Sequence, residues 1–580
     1  MMRGKLLLSW RPHWRPALVL AAIAAAEYLA PWRAAGRGAA VLLAALLTGQ
    51  FLWDSARQLR RATHLRTVLR ARFLELALTT AALAFLLSKV YVWVRFLPDL
   101  AARPVLEPVY RQYAAMFIVV AGLRLVVGEF PVRRILHRLE LRPAQTVAVG
   151  FALTILTGTF LLSLPPAVSR LESVSMLNAL FIATSAVTVT GLTVYDIGTF
   201  HTPLGQAVIL GLIQLGGVGT MAASASLVVL AGRRLRLRSA AALQESMDVM
   251  TLGQVRSQIW TILLVTLIAE GIGTFLLLLA WWDHPAAGNV AFGALFHAVS
   301  AFCNAGFSTM PQGLLPFRDH WPTNLVMATL IVAGGLGFPV LYGLGRAIGR
   351  RVRGEGSGRL SLHTRLALIT TGALLVGGIV TVLVLEGNGT LAGLSLPERL
   401  LTAGFQSVTA RTAGFSTLEV GLLRPASLWI LMLLMFIGGC PGSTTGGIKT
   451  TTAATMLITL WATVQGKDRV EAFGRTIPGE QVAKALALVG ISLGTVALGI
   501  LVLLAGQDGD TLGLTFEAVS AFGTVGLSTG VTPGLTAWGK LLIMGLMFVG
   551  RTGPLTLGFA LATRERRSRV IYPAEKIMIG

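Results

Sequence analysis

From about residue 140 to residue 561 the apolar positions follow one order four times: a long run, a short run, a glycine-centred segment and a second long run. An α-helix rises 1.5 Å per residue, so about 20 apolar residues cross a hydrocarbon core of about 30 Å, whereas about ten reach only its midplane. The first repeat therefore predicts an outward helix over 143 to 164, a short helix entering from outside over 176 to 186, an extended return over 187 to 193, and a full helix over 203 to 230. The second reads 256 to 282, 290 to 301, 302 to 309 and 323 to 345. The third reads 363 to 386, 396 to 408, 409 to 417 and 425 to 461, and the fourth 482 to 505, 513 to 521, 522 to 529 and 535 to 561. This is an all-α polytopic membrane protein of four helix, re-entrant loop, helix repeats around a pseudo-four-fold axis.

Ahead of the repeats, apolar runs near 17 to 32, 39 to 53, 73 to 94 and 112 to 127 predict about four extra transmembrane helices. A signal peptide is the rival account of the first run, but Trp10, Trp14 and Arg15 interrupt it and another apolar run follows closely, which favours an uncleaved helix. The division is then 1–139, an N-terminal extension; 140–238, 239–359 and 360–476, the first three repeats; and 477–580, the fourth repeat and a C-terminal tail. The Gly-rich piece from Gly354 to Gly358 reads as a short inner loop.

Composition agrees: 54% of residues are apolar and 13% charged. The net charge of +23 would suggest nucleic acid in a soluble domain, but here the basic residues lie between apolar runs, where they act as topology signals. Clusters such as Arg233, Arg234, Arg236 and Arg238, or Arg346, Arg350, Arg351 and Arg353, follow each glycine segment and its long run. The stretches directly after the glycine segments are poor in positive charge. The basic side is cytoplasmic, both termini lie there, and the glycine segments face outside. Cys303 and Cys440 indicate neither a disulfide framework nor a zinc site.

The four glycine segments are FIATSAVTVTGLT (181–193), FHAVSAFCNAGFST (296–309), FQSVTARTAGFST (405–417) and FEAVSAFGTVGLST (516–529). They place Gly191, Gly306, Gly414 and Gly526 in one column, roughly 110 residues apart. Four short helices whose C-termini converge would each present about half a negative charge to a central cation. Main-chain carbonyls of the following residues can replace a hydration shell if they all turn inward, which needs backbone angles that glycine adopts without strain. The candidate filter is Val189, Thr190 and Gly191; Asn304, Ala305 and Gly306; Thr412, Ala413 and Gly414; Thr524, Val525 and Gly526. A lone glycine in an apolar helix is usually a packing device, but four in register after a Phe are not so explained.

In the third repeat, residues 438 to 447 hold Gly438, Gly439, Gly442, Gly446, Gly447, Pro441 and the run Ser443, Thr444, Thr445, a composition that cannot keep a regular helix. It predicts an intramembrane loop below the filter, either a movable gate or a static kink. Arg551, mid-run in the fourth repeat, is costly unless paired or hydrated and is a second gate candidate, with Lys449 beside the loop. The structural alternative for Arg551 is an ion pair, with Glu270 as one partner. Arg411, three residues before Gly414, is expected to point back into the protein onto short-helix carbonyls, Glu398 or Glu517. His297 and Gln406 share one offset and read as packing or hydrogen-bonding residues. The glycines at 216, 217 and 219 lack the acidic residue and βαβ context of a nucleotide site.

These features together resemble the Trk/Ktr/HKT superfamily of potassium transporters, closest to its KtrB/TrkH pore-forming subunits. Besides the four filters, the resemblance rests on QLGGVGT (214–220), LSLHTR (360–365), LEGNGTL (385–391), FIGGCPGSTTGGIK (436–449) and MFVGRTGPL (547–555), and it covers about 140 to 580. It implies a K⁺-conducting pore, with Gly191 matching the K⁺-selective pattern, a gate at the intramembrane loop, and Arg551 facing the conduction path. It also implies a homodimer in membrane lipid and a separate cytosolic nucleotide-binding subunit of KtrA/TrkA type, docked on the basic inner loops and C-terminal tail. Na⁺ coupling is not readable from these residues. No P-loop, metal-binding His pair or nucleophile elbow indicates an enzyme, a nucleotide bound by this chain, or a metal other than transported K⁺. An ion-coupled secondary transporter is the rival reading, though such proteins usually show two inverted halves rather than four repeats of one orientation.

Overall fold

The computed structural model describes residues 143–169, 175–235, 252–284, 289–354 and 360–553. The expected N-terminal helices, most of the loop from Gly354 to Gly358 and the tail lie outside these residues. Four short helices punctuate a series of mostly longer ones. Helix α1 (Pro143–Leu162) leads into short α2 (Met176–Thr188) and long α3 (Pro203–Leu235). Then come α4 (Leu252–Trp281), short α5 (Val290–Phe302) and α6 (Trp321–Val352). Next are α7 (Leu362–Glu386), short α8 (Leu396–Thr409), and the pair α9 (Pro425–Phe436) and α10 (Thr450–Val464). Last come α11 (Gly479–Gly506), short α12 (Thr511–Gly523) and α13 (Ala537–Thr552). Five of the described helices are long and apolar enough to cross a membrane.

The short helices are 13 or 14 residues, hence roughly 20 Å, too short to span the core. The starts of three of them are fixed by local chemistry. Asn289 accepts from the Phe292 amide and Asp510 from the amides of Leu512 and Gly513, while Glu398 reaches back to the Ser395 amide. Each carries a fully enclosed phenylalanine near its middle: Phe181, Phe296, Phe405 and Phe516 are at most 2% exposed. Three of these four rings lie in the main core and Phe405 in the adjoining one.

Helix packing follows a cyclic order. Short α2 touches α1 and α3, α3 touches α5, α6 touches α8, α9 touches α12, and α13 returns to α2. Glycine allows these approaches. A Cβ on Gly216 of α3 would lie 2.1 Å from the Val187 carbonyl oxygen, one on Gly334 of α6 1.9 Å from that of Phe302, and one on Gly550 of α13 1.8 Å from that of Phe522. Helices α3, α6 and α13 thus lie directly against the last turns of α2, α5 and α12.

Two long helices depart from the regular lengths that hydropathy suggests. The run expected as one helix over 425 to 461 is two, α9 and α10, separated by an irregular loop at 437–449, where the glycines and Pro441 fall. The second departure was not expected from the apolar pattern: α6 is kinked at Gly337, with φ 75° and ψ 163°, just before Pro339. Pro339 has no amide to donate back to Gly335, and Gly337 takes a positive φ that a residue with a Cβ resists, so the kink is a local consequence of the Gly-Phe-Pro string.

Candidate functional site

The four glycine segments meet. A Cβ built on Gly191 would lie 2.4 Å from the Ala305 oxygen, on Gly306 2.8 Å from the Ala413 oxygen, on Gly414 2.6 Å from the Val525 oxygen, and on Gly526 2.1 Å from the Thr190 oxygen. The series runs from first to second to third to fourth segment and back to the first, so the segments close a ring. All four glycines have positive φ, between 72° and 92°. Any side chain there would strike the main chain of the next segment and strain its own backbone.

Two residues before each glycine the backbone is also left-handed: Val189 (φ 55°), Asn304 (59°), Thr412 (69°) and Thr524 (49°). These are four of the five non-glycine residues with positive φ among those described. Sequence reasoning assigned the unusual angles to glycine alone and missed these. β-Branched residues resist that region, at a cost of about 1–3 kcal/mol each, so only the surrounding structure can impose it. Left-handed residues two apart turn successive carbonyls toward one side, where a strand would alternate them.

The amides point the other way, into the short helices. Thr190 N donates to Ser185 O at 2.8 Å, Ala305 N to Ser300 O at 2.7 Å, Ala413 N to Thr409 O at 3.0 Å, and Val525 N to Ser520 O at 2.9 Å. The hydroxyl residue four beyond each phenylalanine adds a second tie. Ser185 and Ser520 accept from the amides of Gly191 and Gly526 at 3.0 and 3.1 Å. Ser300 bonds both main-chain groups of Phe307, and Thr409 donates to Phe415 O. Among the described residues nothing donates to the main-chain oxygens of 189–191, 304–306, 412–414 or 524–526. Their acceptor capacity is unspent, an arrangement suited to a cation.

A further set of side chains holds the far end of three segments. The residue after each phenylalanine reaches the serine two beyond the glycine. His297 Nε2 lies 2.8 Å from Ser308 Oγ, Gln406 Oε1 accepts from Ser416 at 3.4 Å, and Glu517 accepts from Ser528 and, at 2.7 Å, from Thr532. The His297 Nδ1 contact is to the Gly293 carbonyl, so Nδ1 carries the hydrogen and Nε2 accepts from Ser308. The shared offset of His297 and Gln406 is thus a hydrogen-bonding role; in the first segment Ile182 and Thr193 occupy these places.

Directly behind the ring the loop at 437–449 is stitched to its surroundings. Cys440 N donates to Gly335 O at 2.9 Å, Thr444 N to Gly334 O at 3.4 Å, and Phe338 N to Gly442 O at 3.3 Å, so the kinked part of α6 and the loop share their main-chain bonds. Thr444 Oγ1 lies 2.8 Å from Asn304 Oδ1, tying the loop to a ring residue. Gly439 N is held by Thr445 Oγ1 at 3.0 Å, and Lys449 Nζ donates to Thr445 O at 2.5 Å and Gly446 O at 3.3 Å.

Arg551 crosses to the same loop. It is 7% exposed and donates to Thr444 O, to Gly216 O at 2.9 Å and to Thr220 Oγ1 at 3.0 Å. Glu270 is not its partner: that carboxylate accepts from Gln214 Nε2 at 3.1 Å and contacts Cys303 Sγ at 3.8 Å. Arg411 also departs from expectation. It is 7% exposed, its Nε has no partner, and it bonds neither Glu398, which caps the start of α8 about 20 Å away along that helix, nor Glu517, which is occupied by Ser528 and Thr532. A carboxylate to which sequence reasoning gave no role, Glu386, is fully buried and binds the Arg424 amide at 2.9 Å, Ser427 at 2.5 Å and both Thr390 donors at 3.1 Å, joining α7 to α9.

Comparison with known proteins agrees with this geometry. The family model "TrkH: Cation transport protein" matches residues 142–566. The Ktr system potassium uptake protein B of Bacillus subtilis is 40% identical over 451 residues, 77% of this chain and 99% of that protein. The potassium/sodium uptake protein NtpJ of Enterococcus hirae is 38% identical over 450 residues, 76% of this chain and 98% of that protein. Among solved structures, the potassium transporter TrkH of Vibrio parahaemolyticus matches with a TM-score of 0.60 at 20% identity, covering 84% of this chain and 98% of that one, a likeness of fold. The family match over nearly all of the region bearing the ring, with two relatives near 40% identity, places the chain in the TrkH family of cation transport proteins.

Proposed function

We propose that this chain is the pore-forming subunit of a potassium uptake system, with the four helix, short helix, helix units at 140–238, 239–359, 360–476 and 477–580 set around one conduction axis. The observation that carries this reading is the closed ring of main-chain oxygens at residues 189–191, 304–306, 412–414 and 524–526, with no donor on any of them among the described residues. An ion entering it exchanges water for fixed carbonyl dipoles, and the C-termini of α2, α5, α8 and α12 add partial negative charge. Relatives named as potassium uptake proteins support K⁺ as the ion.

The loop at 437–449 is the gate in this account, comprising Gly438, Gly439, Gly442, Ser443, Thr444, Thr445, Gly446 and Gly447, with Lys449 and Arg551. Arg551 donates to Thr444 O, and Thr444 Oγ1 bonds ring residue Asn304, so the described arrangement is the shut one. Opening must release Thr444, and a positive charge beneath the ring raises the barrier to cations until it moves. The chain works as a homodimer in lipid with a separate cytosolic KtrA/TrkA-type subunit. Names of the form "Ktr system" on the relatives support that division of labour, and the basic loops support cytoplasmic termini and a plasma-membrane location with four leading helices.

One relative is named a potassium/sodium uptake protein, which favours Na⁺-coupled symport as the second reading. Radioactive Rb⁺ uptake into proteoliposomes holding only this chain separates them. A channel predicts uptake competed by K⁺, little affected by Na⁺, and driven by the Rb⁺ gradient and voltage alone. Uptake that requires an inward Na⁺ gradient would favour symport, and uptake indifferent to K⁺ would contradict the proposal.

A further inference from the structure

A groove of about 820 Å³ runs between α4 and α6 on the outer surface of the helix assembly. Along its length it is apolar, lined by Ile268 and Ile272 of α4 and by Phe338 and Leu341 of α6, and its inner end reaches Phe302, the last residue of α5. At the other end the lining changes to Arg346, Arg350 and Arg353. These arginines sit at i, i+4 and i+7 of one helix face. All three are exposed, and the ion pairs among the described residues lie elsewhere, Arg318 with Asp319 and Lys484 with Glu480. Arg346 lies over the ring of Tyr342, itself a lining residue, at 5.6 Å.

An apolar trough bounded at one end by three arginines of one helix face matches an amphiphile with an anionic head and a hydrocarbon tail. The dimensions agree: from Arg350 to Phe338 is twelve residues, about 18 Å of helix, close to the roughly 15 Å thickness of one hydrocarbon leaflet. Ile268 and Ile272 are 51% and 56% exposed, so the trough opens sideways to lipid rather than to a water-filled path. Basic pockets between membrane helices on the cytoplasmic side select acidic headgroups, and the positive-inside rule puts these arginines on that side.

The geometry points to a binding site for one anionic glycerophospholipid, its phosphate on Arg346, Arg350 and Arg353 and one acyl chain in the α4–α6 groove. That chain ends against Phe338, the residue after the α6 kink, whose amide donates to Gly442 O of the intramembrane loop at 3.3 Å. It is a site distinct from the ring, and its occupant meets a residue that attaches the loop to α6.

Native mass spectrometry of the full-length protein, delipidated and titrated with phosphatidylglycerol or with phosphatidylcholine of the same chains, tests this. One tight phosphatidylglycerol per chain is expected, with phosphatidylcholine at least tenfold weaker. The triple variant Arg346→Gln, Arg350→Gln, Arg353→Gln should weaken phosphatidylglycerol at least tenfold. So should Gly345→Leu, which leaves every charge in place and enters open space, since a Cβ there has no neighbour within 4 Å. Neutralising Lys467, Arg469 and Arg475 should change nothing. Four results would overturn the site: equal binding of the two lipids; wild-type binding by the triple variant or by Gly345→Leu; equal loss on neutralising the distant cluster; or full competition by glycerol phosphate, which would leave only a headgroup anion site. Quantitative disulfide formation between copies carrying Gly345→Cys would also overturn it, by making the groove an interface between two chains.

Discussion

At the scale of single residues, the ring depends on what is missing from four of them. Gly526 has φ 91° and no room for a Cβ, which would stand 2.1 Å from Thr190 O. Gly526→Ala must therefore move the first or fourth segment, and its oxygens no longer face one point. We expect K⁺ over Na⁺ discrimination, read as competition for Rb⁺ uptake, to fall at least tenfold, which is about 1.4 kcal/mol, while the protein still reaches the membrane. Unchanged discrimination would count against the ring as a filter. The glycine column was legible because absence of a side chain is itself a sequence feature. The left-handed Val189, Thr412 and Thr524 were not, because β-branched residues adopt that region only when a helix C-terminus and neighbouring segments force them. Arg411 is buried as expected, but of the carboxylates offered for it Glu398 lies at the far end of α8 and Glu517 is engaged by Ser528 and Thr532. Glu517 shows the same accounting from the acceptor side: Glu517→Leu leaves the half-buried Ser528 hydroxyl and the buried Thr532 hydroxyl without this acceptor, a cost of about 1–3 kcal/mol. Thermal unfolding in detergent should show a lowered midpoint, with Glu517→Gln closer to wild type.

At the scale of elements, helix lengths and the break between α9 and α10 could be read from hydropathy and from five glycines and a proline in ten residues. The kink in α6 could not be read from periodicity, which continues through it, although the string Gly337, Phe338, Pro339 carried the signal. That kink frees the Gly334 and Gly335 carbonyls for the loop, so the two irregular stretches are one device. A Cβ at Gly337 would lie 2.7 Å from Ser443 N and 2.8 Å from the Gly442 carbonyl, and the residue has φ 75°. Gly337→Ala should push the loop off α6, lower the unfolding midpoint and raise Rb⁺ flux. Arg551→Gln removes the charge and weakens the hold on Thr444, and should raise flux several-fold without lowering selectivity, since Arg551 touches the loop and α3 but none of the ring oxygens. A drop in flux in either variant would argue that the loop supports the ring rather than obstructing it.

At the scale of the whole molecule, the cyclic contacts α3 to α5, α6 to α8, α9 to α12 and α13 to α2 explain why four unlike segments build one site. Each of α3, α6, α9 and α13 is both the close of one unit and the wall of the next. Repetition at about 110 residues predicted such a closed order, but sequence could not say which segment neighbours which, because all four share nearly the same string. The third segment is one residue shorter between its phenylalanine and its glycine than the other three, yet Gly414 stands between Gly306 and Gly526 with its Cβ position 3.0 and 3.2 Å from their Cα atoms. The family match begins at residue 142, and 99% of the Bacillus subtilis relative is covered by 77% of this chain. A chain lacking 1–139 should therefore retain K⁺-competed Rb⁺ uptake. The most direct measurement is a structure in Rb⁺ with anomalous data. The account predicts an ion peak on the common axis, within coordinating reach of the Thr190, Ala305, Ala413 and Val525 oxygens. A ring that stays empty while Rb⁺ is bound elsewhere along the path would contradict it.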